Sequence, residues 1–233
     1  MPPVMLRTEA LAKGFTLHLQ GGLHIPVLGE IALVVAAGEC VALGGPSGAG
    51  KSTLLRCLYG TYRADGGRIL VRHRGAFLDL AAADPRAILA VRAETLGYVS
   101  QFLRVVPRVP AVSIVAEAAI ARGMAAEAAR EHAAALLLRL GIPSRLHGLP
   151  PATFSGGEQQ RVNLARGFIA DHPILLLDEP TASLDAANRD AVLGLIREAK
   201  ARGAAIVTIM HDTAARDAVA DRLFPVPPLQ DAA

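Results

Sequence analysis

Residues Gly45 to Ser52 read GPSGAGKS, which fits the pattern G-x-x-x-x-G-K-[ST]. The apolar run ECVALGG leads into it, and TLLRCLYG follows as a short helix ended by Gly60. A strand feeding a glycine-rich turn that opens a helix is the context this pattern requires. It constrains the fold strongly, because such a turn belongs at the carboxyl edge of an open α/β sheet. Gly45, Gly48 and Gly50 let the backbone curl, so that the loop of Gly45, Pro46, Ser47, Gly48, Ala49 and Gly50 turns its available N–H groups toward phosphate oxygens. The start of the helix adds its positive dipole end. Lys51 supplies a compact charge for β- and γ-phosphates, Ser52 a hydroxyl for Mg²⁺, and Thr53 a contact to the α-phosphate.

The rest of the chain alternates strands and helices. VLGEIALVV reads as strand, ADGGRILVRH as a turn and strand, and LGYVS as a strand. DPRAILAVR is a short helix with Asp84 as N-cap and Pro85 at its first position. From about residue 103 to 150 the chain is Ala-rich, helical and punctuated by prolines. A helix from Ser155 to about Ala170 follows, then the buried strand ILLLDEP. Next come an amphipathic helix with Asp185 as N-cap, the buried strand AAIVTIMHD, a short helix and a final strand. Two strands apolar throughout point to a parallel sheet covered on both faces.

The strand ILLLDEP ends in two carboxylates, delivered to the crevice where α/β sheets bind ligands. Asp178 is placed to hold Mg²⁺, directly or through water, and Glu179 to orient and polarise an attacking water. Gln101, after LGYVS, can reach both the metal and that water. His211, after AIVTIM, can meet the γ-phosphate as a neutral imidazole. The other histidines, His18, His24, His73, His132, His147 and His172, read as structural.

A second glycine-rich helix start lies far downstream, at TFSGGEQQRVNLARG. The Ser155 hydroxyl, the Gly157 N–H and the helix dipole form an anion site distinct from the first. These pieces, in this order, resemble the ABC ATPase family over nearly the whole chain. Ser155, Gly156 and Gly157 match its signature motif, and SLD at Ser183 to Asp185 matches its D-loop, which brings in Asp185. Phe15 matches the aromatic that stacks on adenine.

The resemblance implies a P-loop NTPase fold of the ABC ATPase kind: α/β, with a mixed or parallel core sheet, an N-terminal antiparallel β region and an inserted helical subdomain. It implies one ATP-binding domain over residues 1–233, with core at 1–102 and 166–233 and the helical part at about 103–165. ATP and Mg²⁺ are the implied cofactors. The implied partner is a second ABC subunit, identical or not, packed head to tail so that each signature helix meets the γ-phosphate on the other chain. One position departs from the pattern: Glu158 stands where the signature commonly has Gln, and an extra charge there would slow closure or demand a nearby Arg161.

The wording SQFLRVVPR, HPILLLDEPTASLDAANRDAV and LIREAKARGAAIV narrows the resemblance to the L-type ATP-binding subunits of the bacterial carbon–phosphorus lyase system. That implies phosphonate catabolism, association with formation of ribose 1-phosphonate 5-triphosphate from ATP and an alkylphosphonate, and pathway proteins as partners. The alternative is the ATPase of a membrane transporter of the lipoprotein-release or macrolide-export kind, with Phe102 to Val112 forming the groove for a membrane subunit. A third reading is an assembly module that binds ATP without turnover, supported only by Glu158. A DNA-repair ATPase would need a long coiled-coil insertion, and no sustained heptad run exists.

Composition removes other classes. Aromatics are 4% of the 233 residues and Trp is absent, which excludes a stacking platform for single-stranded nucleic acid. A net charge of +3, with the basic residues scattered, gives no polyanion-binding face. Cys40 and Cys57 have no metal-ligand spacing and read as buried thiols in a reducing cytoplasm. No run approaches the roughly 20 apolar residues of a membrane span, so no direct membrane insertion is expected.

Overall fold

The structure is a computed structural model that describes residues 1–17, 22–100 and 108–229. Strand β1 (Val4–Leu17) pairs antiparallel with β2 (Leu23–Ile31) through its second half and with β3 (Val34–Ala36) through its first. Its other edge carries β5 (Gly66–His73), which in turn pairs with β6 (Ala76–Asp79). Leu6 and Thr8 point inward, then Ala10 takes a left-handed φ of 46° and Leu11 becomes the next inward residue. This bulge shifts the alternation by one, so β1 carries no clean period of two. Buried Thr8 is satisfied: its hydroxyl donates to the Ile31 carbonyl at 2.8 Å and accepts from the Leu33 N–H at 2.9 Å.

The second sheet is parallel throughout, in the order β10 (Arg222–Pro225), β4 (Cys40–Gly44), β9 (Ala205–Ile209), β8 (Ile174–Asp178), β7 (Leu96–Val99). Every residue of β8 and β9 is buried, as strands covered on both faces must be. Ile174 and Leu176 face one core cluster with Val41, Leu43, Val207 and Ile209, beneath α1 (Lys51–Leu58). Leu175, Leu177 and Ile206 face the other cluster, with α6 (Gly156–Phe168) and α7 (Ala186–Ala201). On α1, Leu54, Leu55 and Leu58 are fully buried, each contributing roughly 1.5–3 kcal/mol by burial.

The helix α2 (Pro85–Glu94) begins as its sequence predicts: the Asp84 carboxylate accepts from the N–H groups of Arg86 and Ala87. Between β7 and β8 lie α3 (Ala111–Ile120), α4 (Ala126–Arg139), α5 (Ser144–His147), a 3₁₀ turn at Pro151–Thr153, and α6. Pro110 and Pro143 sit at the N-caps of α3 and α5, and Pro150 at that of the turn. Two features tie α6 to β7. A Cβ at Gly167 would come within 2.3 Å of Val99 Cγ2, so only glycine permits this approach. Asn163 Nδ2 donates to the Ser100 carbonyl at 2.7 Å. Gln101, and the groove expected from Phe102 onward as far as residue 107, lie outside the described residues.

The thiols of Cys40 and Cys57 are free and buried, pushed up by burial to about 12 and about 11. His147 Nε2 sits 2.9 Å from the Ile142 carbonyl, and burial lowers His172 to about 4, so both behave as structural residues.

Candidate functional site

The carboxyl ends of β4, β8 and β9 converge at a cleft of about 250 Å³ lined by Ser47, Gly48, Gly50, Lys51, Ser52 and Thr53, with Val27, Glu179, Ile209 and His211 opposite. Gly50 is the N-cap of α1 at φ 87°, and a Cβ there would stand 2.9 Å from both Leu28 and Val27. The residue must therefore be glycine on two counts, conformation and space.

Lys51 Nζ donates to the carbonyls of Gly45 and Pro46, at 2.8 and 2.7 Å, which holds the ammonium across the mouth of the loop. One of its three protons is uncommitted by these bonds. A phosphate oxygen is a stronger acceptor than either carbonyl, so the charge can transfer to a nucleotide. Lys51→Ala is expected to weaken ATP binding by roughly 10- to 100-fold, the loss of one charge-assisted contact of about 1.5–3 kcal/mol. Equilibrium titration with a fluorescent ATP analogue measures this, and unchanged affinity would remove the phosphate-loop assignment.

The period of two along β8 places Ile174, Leu176 and Asp178 on the α1 face. Asp178 is 3% exposed, and Ser52 Oγ donates to its Oδ1 at 3.2 Å. Burial pushes this carboxyl up, opposed by its bonds from Ser52 and Tyr98. A hydroxyl beside a carboxylate at the end of a phosphate loop is a hard-oxygen donor pair, which suits Mg²⁺. Ser52 and Asp178 are thus the residues that would hold the ion, and the ion's chemistry there would be neutralisation of phosphate charge.

At Glu179 the backbone turns left-handed, φ 53°, while its N–H still donates to the Ile209 carbonyl at 3.1 Å. The side chain swings into the cleft and meets His211 Nε2 at 3.0 Å. An ionised carboxylate only accepts, so Nε2 carries the proton of this pair. Of the predicted catalytic residues, Glu179 and His211 are brought together.

Other predicted residues stand outside the cleft lining. Phe15 is half-buried, edge-on to Tyr62 with centroids 5.2 Å apart and with Lys13 Nζ 5.1 Å above its ring. Asp65 anchors that Lys13 at 2.7 Å and accepts the Gly14 N–H at 2.7 Å. Lys13 precedes Phe15 by two residues on β1, whereas Tyr62, in the turn after α1, was not legible as its neighbour. Asp185 is the N-cap of α7, accepting from the Asn188 N–H at 2.9 Å.

Ser155 caps α6, and Glu158 has a local purpose that the expectation of a disruptive charge did not include. Its Oε2 accepts from both the N–H and the hydroxyl of Ser155 at 2.8 Å, while its own N–H donates to Ser155 Oγ at 3.3 Å. This is a reciprocal capping box. The bonds from Ser155 hold the Glu158 carboxyl below its ordinary value, with Arg161 and Arg145 adding positive field. A Cβ at Gly157 would lie 3.8 Å from the Ser183 carbonyl, so the α6 start abuts the SLD turn.

A phosphate loop, a strand-end acid pair and a separate glycine-led helix start define an ATP-hydrolysing cassette. The family model described as ABC transporter matches residues 28–182, and the chain belongs to that family. The macrolide export ATP-binding/permease protein MacB of Sodalis glossinidius is 39% identical over 197 residues, covering 84% of this chain and 29% of that protein. Its counterpart in Hyphomonas neptunium is 37% identical over 192 residues, covering 82% and 29%. The chain therefore spans about 29% of the length of these relatives. Among solved structures, the dimeric post-hydrolysis state of the ATP-binding cassette MJ0796 bound to ADP and Pi superposes with a TM-score of 0.84 at 26% identity, over 95% of this chain and 94% of that one. These relatives carry macrolide-export names, so they do not support the narrower resemblance to carbon–phosphorus lyase subunits and do support the exporter alternative.

Proposed function

We propose that this chain is the ATP-hydrolysing cassette of a membrane export system of the macrolide-export kind. The observation that carries this reading is the 39% identity to the macrolide exporter of Sodalis glossinidius across 84% of the chain. The relative's name couples ATP binding to a permease, and the cassette described here accounts for less than a third of that protein's length. No helix among the described residues is long and apolar enough to cross a membrane, so in this reading the permease is supplied by other residues or another subunit.

In the proposed cycle, the loop from Gly45 to Thr53 cradles the triphosphate and Lys51 neutralises its outer phosphates. The Glu179 carboxylate orients the attacking water and draws off its proton, and His211, beside it at the end of the neighbouring strand, steadies Glu179. A second subunit presents Ser155 and Gly157 to the γ-phosphate, in line with the dimeric assembly of MJ0796. Loss of that phosphate removes the contact that favours the closed pair, the differential interaction a switch needs.

Affinity purification of the chain from detergent-solubilised membranes, together with its gene neighbours, tests the assignment. An integral permease is expected to co-purify and to change the ATPase rate. Recovery of soluble phosphonate-metabolising proteins alone would overturn it in favour of the carbon–phosphorus lyase reading.

A further inference from the structure

Asp178 is held at both oxygens. Ser52 Oγ donates to Oδ1 at 3.2 Å, and the Tyr98 hydroxyl donates to Oδ2 at 3.2 Å. The two donors come from different elements, the first turn of α1 and the strand β7. Tyr98 reaches Asp178 because β7 and β8 are paired in register, with Tyr98 opposite Leu176, two residues before Asp178. Leu96 and Tyr98 share the α1 face with Ile174, Leu176 and Asp178, while Val99 points to the opposite core.

The Tyr98 ring has little freedom. It stacks at a 30° tilt on Tyr59, with centroids 5.0 Å apart. Tyr59 is the C-cap of α1, and its own ring lies beneath the Arg92 guanidinium at 4.5 Å. Arg92 Nε also donates to the Tyr59 carbonyl at 3.0 Å. The Arg56 guanidinium, on α1, lies beside the Tyr98 hydroxyl. One helix thus presents Ser52 at its start and fixes Tyr98 through residues at its end.

A carboxylate that is 3% exposed has few orientations available once both oxygens are engaged. Removing the Tyr98 proton would leave Oδ2 buried and short of a donor, and the carboxylate would be free to rotate. We propose that Tyr98 is a positioning residue for the nucleotide's divalent ion, its hydroxyl fixing one oxygen of Asp178 so that the other, beside Ser52, faces the metal. This inference rests on the reading of Asp178 as the metal carboxylate. Partners of this kind, one step removed from the ion, typically change metal affinity by 10- to 100-fold when lost.

Tyr98→Phe keeps the ring and its stack and removes only the hydroxyl. The measurement is Mn²⁺ affinity of the protein with a non-hydrolysable ATP analogue, followed by electron paramagnetic resonance, beside analogue affinity in EDTA. Tyr98→Phe is expected to weaken Mn²⁺ binding by about 10-fold and to leave metal-free analogue binding unchanged. Asp178→Asn serves as the reference. If Asp178→Asn loses Mn²⁺ affinity while Tyr98→Phe retains it within two-fold, Tyr98 is only a packing residue and the inference falls. If Asp178→Asn itself retains Mn²⁺ affinity, the underlying assignment of the metal carboxylate falls instead.

Discussion

Glu179→Gln is expected to cut ATP turnover by about 10²–10⁴-fold while nucleotide affinity stays within a few-fold of the parent. The substitution is close to a pure test of proton acceptance. Gln keeps the length and shape of Glu, and its amide oxygen can still accept from His211 Nε2, 3.0 Å away. Backbone strain at φ 53° is similar for either residue, so the turn out of β8 should survive. What Gln cannot do is draw a proton from water. An interaction made mainly in the transition state lowers kcat without weakening ground-state binding. Phosphate release in single-turnover conditions and analogue titration separate the two. The same variant should accumulate an ATP-dependent dimer on size exclusion, because the closed pair forms and cannot be discharged. Turnover within ten-fold of the parent would show that another group takes the proton.

The two halves of this molecule differ in how far their sequence betrays them. The parallel sheet is legible because β8 and β9 are apolar throughout and end in chemistry, at Asp178 and before His211. Its surrounding helices announce their starts, Asp84, Ser155 and Asp185 all serving as N-caps with real side-chain bonds. The expected mixed or parallel core is parallel in all five strands. The antiparallel sheet is harder to read. The bulge at Ala10 breaks the alternation of β1, and charged Arg7, Glu9 and Lys13 disguise a strand that is half-buried. β6 is only four residues long, with Ala76 and Phe77 exposed and Leu78 half-buried against the core, and it is placed by its pairing with β5.

In the site, motif residues could be named because phosphate and metal chemistry dictates both residue type and spacing. Their supporting partners could not. Ser52 and Asp178 are both assignable to Mg²⁺ from their motifs, but Tyr98 reaches Asp178 across 80 residues only because the register of β7 on β8 brings them together. Glu158 shows a role that motif comparison alone did not name: besides the charge it would bring near a phosphate, it completes a cap that any Ser-x-x-Glu helix start can form, with Arg161 close by.

Ser155→Arg is expected to abolish ATP-dependent dimerisation and to lower turnover by about 10²-fold or more, the scale for losing a donor at a transferring phosphate. Binding of ATP to a single chain should change by less than two-fold, since no residue from Ser155 to Glu158 lines the cleft that contains Lys51. Arg cannot accept the Glu158 N–H, so the variant also loses its cap, at about 1 kcal/mol of stability. A melting curve isolates that cost. Mixing supplies the decisive comparison if two copies of this chain pair. Combine one copy bearing Ser155→Arg with another bearing Lys51→Ala. In a head-to-tail pair, one composite site then gathers both defects and the other has an intact phosphate loop facing an intact Ser155. Each variant alone is impaired at both sites, yet the mixture should recover activity and an ATP-dependent dimer. If Ser155 instead acted on its own chain's nucleotide, no pairing of these two variants would assemble an undamaged site, and the mixture would stay as impaired as its parts.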